Sequence, residues 1–354
     1  MGGSERVFQY ICEEFEEADI YTLAYNPERT LPYFKERKIH TTLLNPFVQS
    51  MDAFRWSFPL ATHVMEALDL SGYDLVLSSS ATVAKYIRVQ NCRHICYCYI
   101  PTRALWQTGE YFGRSWKSKI IKPFLNFLRW HDLQAAQRVN QFIAISRTTQ
   151  DHIANTYGCD SQVIFSPIDL DRFTPSGDRE EHYLVVSRLE QWKRVDYAIE
   201  AFNRLKLPLK VIGTGKEEGK LRALAGPNIT FLGGVDDETL AKEYAVAKAV
   251  IFTPFLEYGL IPLEANACGT PVICFGEGGV TETMIPWLVG STENESATAV
   301  FFNKQSAESL IAAVNQFENA TFDPNNLIMH ASRWGIPEFK RQLRQAVGSI
   351  EPSQ

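Results

Sequence analysis

Residues Phe255 to Ile273 read FLEYGLIPLEANACGTPVI and follow the apolar run Ala249–Phe252. Four apolar residues closed by a glycine-bearing loop read as a buried strand reaching its end. Ile261 to Ala267 then read as a helix entered through Pro262, with Gly269 as its stop signal and Val272 to Phe275 as the next strand. Strand, loop, helix and strand in that order make a parallel crossover. Glu264 stands out inside it, a carboxylate among Leu263, Ala265 and Ala267. Burying such a group is costly unless hydrogen bonds hold it. One reading is a carboxylate favoured by the helix dipole; the other, followed here, is a partner for ribose hydroxyls. Gly259 and Leu260 would lend backbone to a sugar or phosphate at the helix N-terminus. The stretch has the chemistry of a nucleotide-sugar site.

Working outward, strand-like and helix-like segments alternate along the chain, which predicts parallel sheets with crossover helices. Strands are expected at Leu75–Ser78, Ile95–Tyr99, Gln141–Ile145 and Gln162–Phe165 in the first half. In the second half they are expected at Tyr183–Val186, Leu209–Ile212, Thr230–Leu232, Ala249–Phe252 and Val272–Phe275. After Lys193, the residues Val195, Ile199 and Phe202 recur at i, i+4 and i+7, a core-facing helical stripe. The polar stretch Thr174–Glu181 reads as a linker between two halves. No internal repeat or low-complexity tract interrupts the pattern.

At 354 residues and 45% hydrophobic content the chain is long enough for two packed cores. No apolar run reaches the roughly 18 residues that span a bilayer, and the N-terminus lacks a signal-peptide pattern. A net charge of −6 argues against general nucleic-acid binding. Seven cysteines, mostly within apolar runs, suit reduced thiols in a cytosol, where the sequons at Asn228, Asn294 and Asn319 carry no meaning. Cys92, Cys96 and Cys98 invite a metal reading. Cys96 and Cys98 alternate along an expected strand, however, and no second pair follows at zinc-finger spacing, so buried thiols are expected and no metal.

Arg188 closes an expected strand and Lys193 follows five residues later at a helix start. Two cations converging there would neutralise a departing diphosphate; a solvated pair on a helix end is the alternative. Gly213-Thr-Gly215 is half of a dinucleotide fingerprint and suits a loop near the nucleotide base. Gly278 and Gly279 allow backbone close to a ligand, or a plain turn. Asp169 and Asp171 form an Asp-x-Asp pattern that reads as a turn rather than a metal site. The stretch 113–130, GRSWKSKIIKPFLNFLRW, mixes Arg114, Lys117, Lys119, Lys122 and Arg129 with aromatic and aliphatic residues. It suits a peripheral contact with a membrane or a lipid-linked acceptor, or an ordinary amphipathic helix pair.

Beyond these single features, motifs throughout the chain carry a family likeness. They include GGSERV (Gly2 to Val7), SGYDLVLSSSATVAK (Ser71 to Lys85), CYCYIPTRALW (Cys96 to Trp106) and RVNQFIAISR (Arg138 to Arg147). They continue with SPIDLDRF (Ser166 to Phe173), VSRLEQWKRVDYAIEAF (Val186 to Phe202), Phe255–Ile273 itself and GEGGVTETM (Gly276 to Met284). In this order they resemble the retaining glycosyltransferases of the GT-B fold, family 4 type, and within them a bacterial mannosyltransferase-like branch that builds polysaccharides.

The resemblance implies an α/β fold with two Rossmann-like domains facing across a cleft. Residues 1–172 would bind the acceptor and 173–336 the nucleotide sugar, with 337–354 a helix packing back on the first domain. It implies hexosyl transfer from a nucleotide diphosphate sugar, GDP-mannose by preference, to a glycan or lipid-linked acceptor, without cofactor, at the cytoplasmic side of a membrane. Arg188, Lys193 and Tyr99 become the catalytic group. Gly2, Gly3, Gly213, Gly215, Glu257, Tyr258, Gly259, Leu260 and Glu264 become the donor site, and Arg103 and Ser146 the acceptor side. Two positions depart from the family: Tyr99 stands where relatives carry His, and Leu256 where they carry Glu, with Glu257 one residue along. A strand precedes the GG motif in the family, and its loss would leave neighbouring strands with unpaired backbone groups; either the start is misassigned, the gene is truncated, or the domain has compensated. A nucleotide-binding relative without turnover and a GT-B epimerase are the rival readings; a dehydrogenase lacks its full fingerprint.

Overall fold

A computed structural model describes residues 3–107, 117–175, 177–291 and 294–348. Gly2 and residues 113–116 of the basic aromatic stretch lie outside the described residues. The chain divides into two compact units, one running to Ser166 and taking in residues from Phe339 onward, the other Pro167–Glu338. The expected boundary at 172/173 therefore falls inside the second unit. Ile168 N–H donates to Trp334 O at 2.9 Å, and the Phe173 ring lies 5.7 Å from that of Tyr244. The polar stretch 174–181 also belongs to this unit rather than to a linker. Arg179 donates to Ala247 O and Thr270 Oγ1, and Glu180 N–H to Val246 O.

The second unit is built on six parallel strands: β7 (Tyr183–Val186), β8 (Leu209–Ile212), β9 (Ile229–Gly233), β10 (Ala249–Phe252), β11 (Val272–Phe275) and β12 (Ala299–Phe302). Their order is β12-β11-β10-β7-β8-β9, every neighbouring pair parallel. Two strands, β8 and β9, build outward on one side of β7, and the chain then returns to its other side for β10, β11 and β12, so the order reverses between β7 and β10. This is the doubly wound arrangement, whose ligand crevice lies beyond the carboxyl ends of the strands at the reversal. Strands covered on both faces are largely apolar, which is why β7, β8, β10 and β11 lie where the apolar runs placed them, with Lys210 of β8 the polar exception.

Helices α6 (Val195–Leu205), α7 (Asp237–Val246), α8 (Leu260–Ala267), α9 (Ala307–Phe317) and α10 (Pro324–Ala331) cover that sheet. Val195, Ile199 and Phe202 of α6 are buried with Tyr183, Val211 and Leu310 in one core. Asp236 and Ser306 cap α7 and α9 by accepting from Thr239 N and Ser309 N. At the end of α8, Gly269 adopts φ 73°. Its N–H donates to Asn266 O and that of Thr270 to Ala265 O, both at 2.8 Å, a Schellman termination as the glycine predicts.

The first unit holds two sheets: β1 (Ile20–Thr22) with β2 (Ile39–Thr41), and β3-β4-β5-β6, formed by Leu75–Ser80, Arg93–Cys98, Gln141–Ala144 and Ser161–Val163. All pairs are parallel. β1 and β3 do not pair; Tyr73 OH reaches Asp19 Oδ2 at 2.5 Å and lies 3.0 Å from Tyr21 OH instead. Its helices are α1 (Gly3–Glu14), α2 (Met51–Glu66), α3 (Arg103–Trp106), α4 (Lys117–Gln137) and α5 (Arg147–Tyr157). From Phe339 onward the final helix, α11 (Ile336–Gly348), belongs to this unit. Phe339 lies 5.8 Å from the Tyr97 ring, Lys340 pairs with Glu13 at 3.0 Å and Arg344 with Glu14 at 2.5 Å.

Candidate functional site

The reversal of strand order puts two chain segments side by side: the one leaving β7 and the one leaving β10. Arg188 stands two residues beyond β7, and Lys193 follows on a single 3₁₀ turn, Gln191–Lys193. Trp192 lies between the cations. The Lys193 ammonium sits 4.2 Å from its ring centroid and the Arg188 guanidinium 5.8 Å. Both cations therefore converge on one aromatic ring, a weak attraction that helps to order them. Lys193 is only 8% exposed, unlike most lysines. Its carbonyl accepts from Thr253 Oγ1 at 2.8 Å. Thr253 is the first residue past β10, so this bond stitches the segment after β7 to that after β10. Gln305 Nε2 donates to the Thr253 carbonyl at 3.0 Å and fixes the stitch from the end of β12.

The loop Gly213–Gly215 after β8 lies directly on the Arg188 segment. A Cβ on Gly213 would come 1.8 Å from Ser187 O, and one on Gly215 2.3 Å from Leu189 O. Leu189 N–H donates to Thr214 O, and Glu217 N–H to Leu189 O, both at 2.9 Å. Only glycine permits so close a backbone approach. The pair that sequence reading took for a fragment of a nucleotide motif thus packs against the end of β7 and sets the course of the Arg188 backbone.

Past β10, Glu257, Tyr258 and Gly259 are buried. Burial, with the charge of Glu282 adding to it, drives the Tyr258 phenol well above its ordinary pKa. Gly279 N–H donates to Leu256 O at 2.9 Å, and a Cβ on Gly279 would come 2.0 Å from Glu257 O. The GEGG loop after β11 therefore lies on the FLEYG loop. Leu256 bridges Gly278 in parallel fashion, a backbone role indifferent to its apolar side chain. Gly259 caps α8 with no side-chain acceptor of its own. The first N–H groups of α8, at Leu260 and Ile261, thus meet no side-chain cap, the usual condition for an anion site.

Glu264 sits one turn further along α8, half-buried. Its Oε2 accepts from Tyr244 OH of α7 at 2.9 Å. Burial and the adjacent carboxylate push the Tyr244 phenol well above its ordinary range, so it stays a donor and orients Glu264. Sequence reading found the carboxylate but not Tyr244, Trp192 or Thr253. Tyr244 and Thr253 act through partners 20 and 60 residues away in sequence. The one local hint was Trp192 between the expected cations.

In the first unit, Tyr99 follows β4 directly. Its hydroxyl donates to Ser4 O and accepts from Ser79 Oγ, both at 3.0 Å, so it ties β3 to the start of α1 beside Gly3. Burial raises its pKa, keeping it neutral. Ser146 is fully buried as the N-cap of α5. Its Oγ accepts from Thr149 N–H at 3.0 Å and donates to Thr149 Oγ1 at 3.1 Å, so the side chain caps the helix. Arg103 opens α3, a segment clamped by a buried hub that sequence reading missed. The Asp132 carboxylate accepts from Lys85 Nζ at 2.7 Å, Tyr86 OH at 2.6 Å, Thr102 Oγ1 at 2.9 Å, Trp106 Nε1 at 2.8 Å and Tyr157 OH at 2.8 Å. Despite burial, Lys85 and these donors hold Asp132 below its usual pKa, so it stays ionised.

Residues 1–172 match the family Glycosyltransferase Family 4, and residues 169–334 match Glycosyl transferases group 1. Among curated proteins, a D-inositol 3-phosphate glycosyltransferase of Geodermatophilus obscurus is 30% identical over 182 residues, 42% of this chain and 40% of the relative. A GDP-mannose-dependent alpha-(1-6)-phosphatidylinositol monomannoside mannosyltransferase of Mycolicibacterium smegmatis is 27% identical over 179 residues, 42% of this chain and 47% of the relative. The chain thus spans less than half the length of these relatives. Among solved structures, the sucrose-phosphate synthase of Thermosynechococcus elongatus aligns with TM-score 0.76 at 18% identity, over 99% of this chain and 93% of the other. The Anabaena protein HepE in complex with UDP aligns with TM-score 0.71 at 15% identity, over 99% and 97%. At such identities the likeness is one of fold, and the fold is GT-B.

Proposed function

We propose, for a chain that belongs to the GT-B-fold glycosyltransferases, that it moves a hexosyl unit from a nucleoside diphosphate sugar held on the second unit. The observation that carries this reading is the convergence of Arg188 and Lys193 on Trp192 at the strand reversal, stitched to the end of β10 by Thr253. When the glycosidic bond to the diphosphate breaks, negative charge grows on the leaving phosphate. Arg188 and Lys193 stabilise it, and the N-terminus of α8 adds its partial positive charge. Glu264, oriented by Tyr244, accepts hydrogen bonds from the ribose. The loops at 213–215, 257–260 and 278–279 bring backbone to the nucleotide and sugar.

Transfer proceeds with retention: the leaving phosphate takes the acceptor's proton on the face from which it departs, with the two cations carrying the charge that a metal would otherwise carry. Mannose from GDP-mannose is the favoured donor, a choice supported by the likeness of the motifs and by the printed donor of one relative. UDP is the nucleotide named for one structural neighbour and is the competing base. The acceptor is a glycan or a lipid-linked sugar that the first unit presents. A second reading, nucleotide binding without turnover, draws on the engagement of the Tyr99 hydroxyl by Ser4 and Ser79.

A thermal-shift panel of GDP, UDP, ADP and their sugars tests the proposal, since a ligand that binds only the native state raises the melting temperature. A rise with GDP-mannose above that with GDP, and slow release of mannose from it, is expected. A rise without sugar release supports the second reading, and no rise with any nucleotide contradicts both.

A further inference from the structure

Lys193 ends its 3₁₀ turn, and the chain leaves it through Arg194, which carries a side chain yet sits at φ 54°. That left-handed conformation is costly outside glycine and persists where the surroundings fix it. Lys193 is braced on both sides. Before it, its own N–H donates to Glu190 O at 2.9 Å. After it, Arg194 pairs with Asp196 at 3.0 Å, and its guanidinium lies 3.9 Å from the Tyr197 ring centroid. The Lys193 carbonyl, ahead of α6, takes its bond from another part of the sheet, from Thr253 Oγ1 at 2.8 Å.

Thr253 is 2% exposed and is held in turn from a third strand end. Gln305 Nε2 donates to its carbonyl at 3.0 Å. Gln305 is itself flanked by fixed points. Lys304 N–H donates to Ser309 Oγ at 3.3 Å, and Ser306 caps α9, whose Ala307, Leu310 and Val314 lie in the core. In the strand order β12-β11-β10-β7, this relay runs from a core-anchored helix start, past the end of β10, to the backbone of Lys193. Both side-chain bonds end on main-chain carbonyls, one of them that of the cation itself. We propose that Thr253, backed by Gln305, is a positioning residue for the Lys193 charge. The relay fixes where the Lys193 backbone lies, and with it the reach of the ammonium past Trp192. A cation set in place beforehand needs little ordering when a diphosphate arrives, and small displacements of such a charge weaken its contact steeply. The inference rests on the donor site proposed above and adds how its charge is held.

Calorimetric titration of GDP and UDP into a double-mutant set tests it. Thr253→Val keeps the shape and removes the hydroxyl. It should lower affinity for the preferred diphosphate about three- to tenfold, the worth of one hydrogen bond. Thr253→Ser should bind as wild type does. Gln305→Ala should lose affinity in the same direction, and it carries the test should Thr253→Val fail to fold. The loss from Thr253→Val should persist beside Arg188→Ala and vanish beside Lys193→Ala, because the hydroxyl acts through that one cation. A general loosening of the unit would instead lower affinity alike in every background. Wild-type affinity of folded Thr253→Val overturns the proposal. So does Thr253→Ser binding no better than Thr253→Val, or an equal loss with and without the Lys193 side chain. In each of these cases the donor reading stands if Lys193→Ala alone still weakens binding. Failure of wild type to bind either diphosphate, or full affinity in Lys193→Ala, removes the donor reading and this proposal together.

Discussion

His94 shows how one buried side chain can shape stability across pH. It lies fully buried on β4, 2.7 Å from Ser78 Oγ, and burial lowers its pKa to about 4 from an ordinary 6.5. The folded state therefore keeps the ring neutral, while the unfolded chain takes a proton below about pH 6.5. Between those values the unfolded state binds more protons, so stability falls as pH falls from about 6.5 to about 4 and is full above that window. At pH 5 the loss from His94 amounts to about 2 kcal/mol. Urea unfolding at pH 7 and pH 5 checks this: His94→Gln narrows the wild-type difference by about that amount. A variant with the wild-type difference intact would remove His94 as its source. At the same scale lies what the sequence could not disclose. Glu264, Arg188 and Lys193 are legible because a charge in an apolar or motif context is conspicuous. Tyr244, Trp192 and Thr253 are ordinary residues whose meaning comes from neighbours in space, 20 and 60 residues away in the Tyr244–Glu264 and Thr253–Lys193 bonds.

Loops after strands, rather than the strands themselves, set the geometry of the donor site. The GEGG loop rests on the FLEYG loop, and Gly279 is the point of contact. Its φ of −61° suits any residue, so an added Cβ acts through collision alone, 2.0 Å from Glu257 O. Gly279→Ala should weaken nucleoside diphosphate binding about tenfold or more and destabilise the second unit by about 1–3 kcal/mol. Gly72→Ala, where nothing lies within 4 Å of the new Cβ, is the control and should change neither. Calorimetry and urea melts of both variants decide it, and wild-type behaviour of Gly279→Ala would mean that the loops give way freely. Element boundaries were readable where apolar runs end at glycine or proline, as for β10, α8 and β11. β1 and β2 are three residues each with polar members and form no run. β12, AVFF, has the run but no binding turn after it to draw notice.

At the scale of the molecule, the succession of strands and helices was enough to foresee parallel sheets with crossover helices, because a strand buried on both faces has few other ways to be written; the two Rossmann-like units were implied by the family resemblance. The place where the chain leaves one unit for the other was not foreseen. Polar residues such as Arg179 serve as well for an arm that anchors to β10 and β11 as for a linker, and only their partners distinguish the two. Strand order, likewise, was set by long-range pairing. Once β7 and β10 are neighbours, Arg188 and Lys193 fall at the one reversal in the sheet, and the account of function rests on that coincidence. Calorimetric titration of GDP and UDP into wild type, Arg188→Ala and Lys193→Ala tests it most directly. Each substitution should lower affinity for the preferred diphosphate by about 10–100-fold, the worth of one charge-assisted contact of about 1.5–3 kcal/mol, with the melting temperature of the unliganded protein little changed. Diphosphate affinity that survives both substitutions intact would contradict the account.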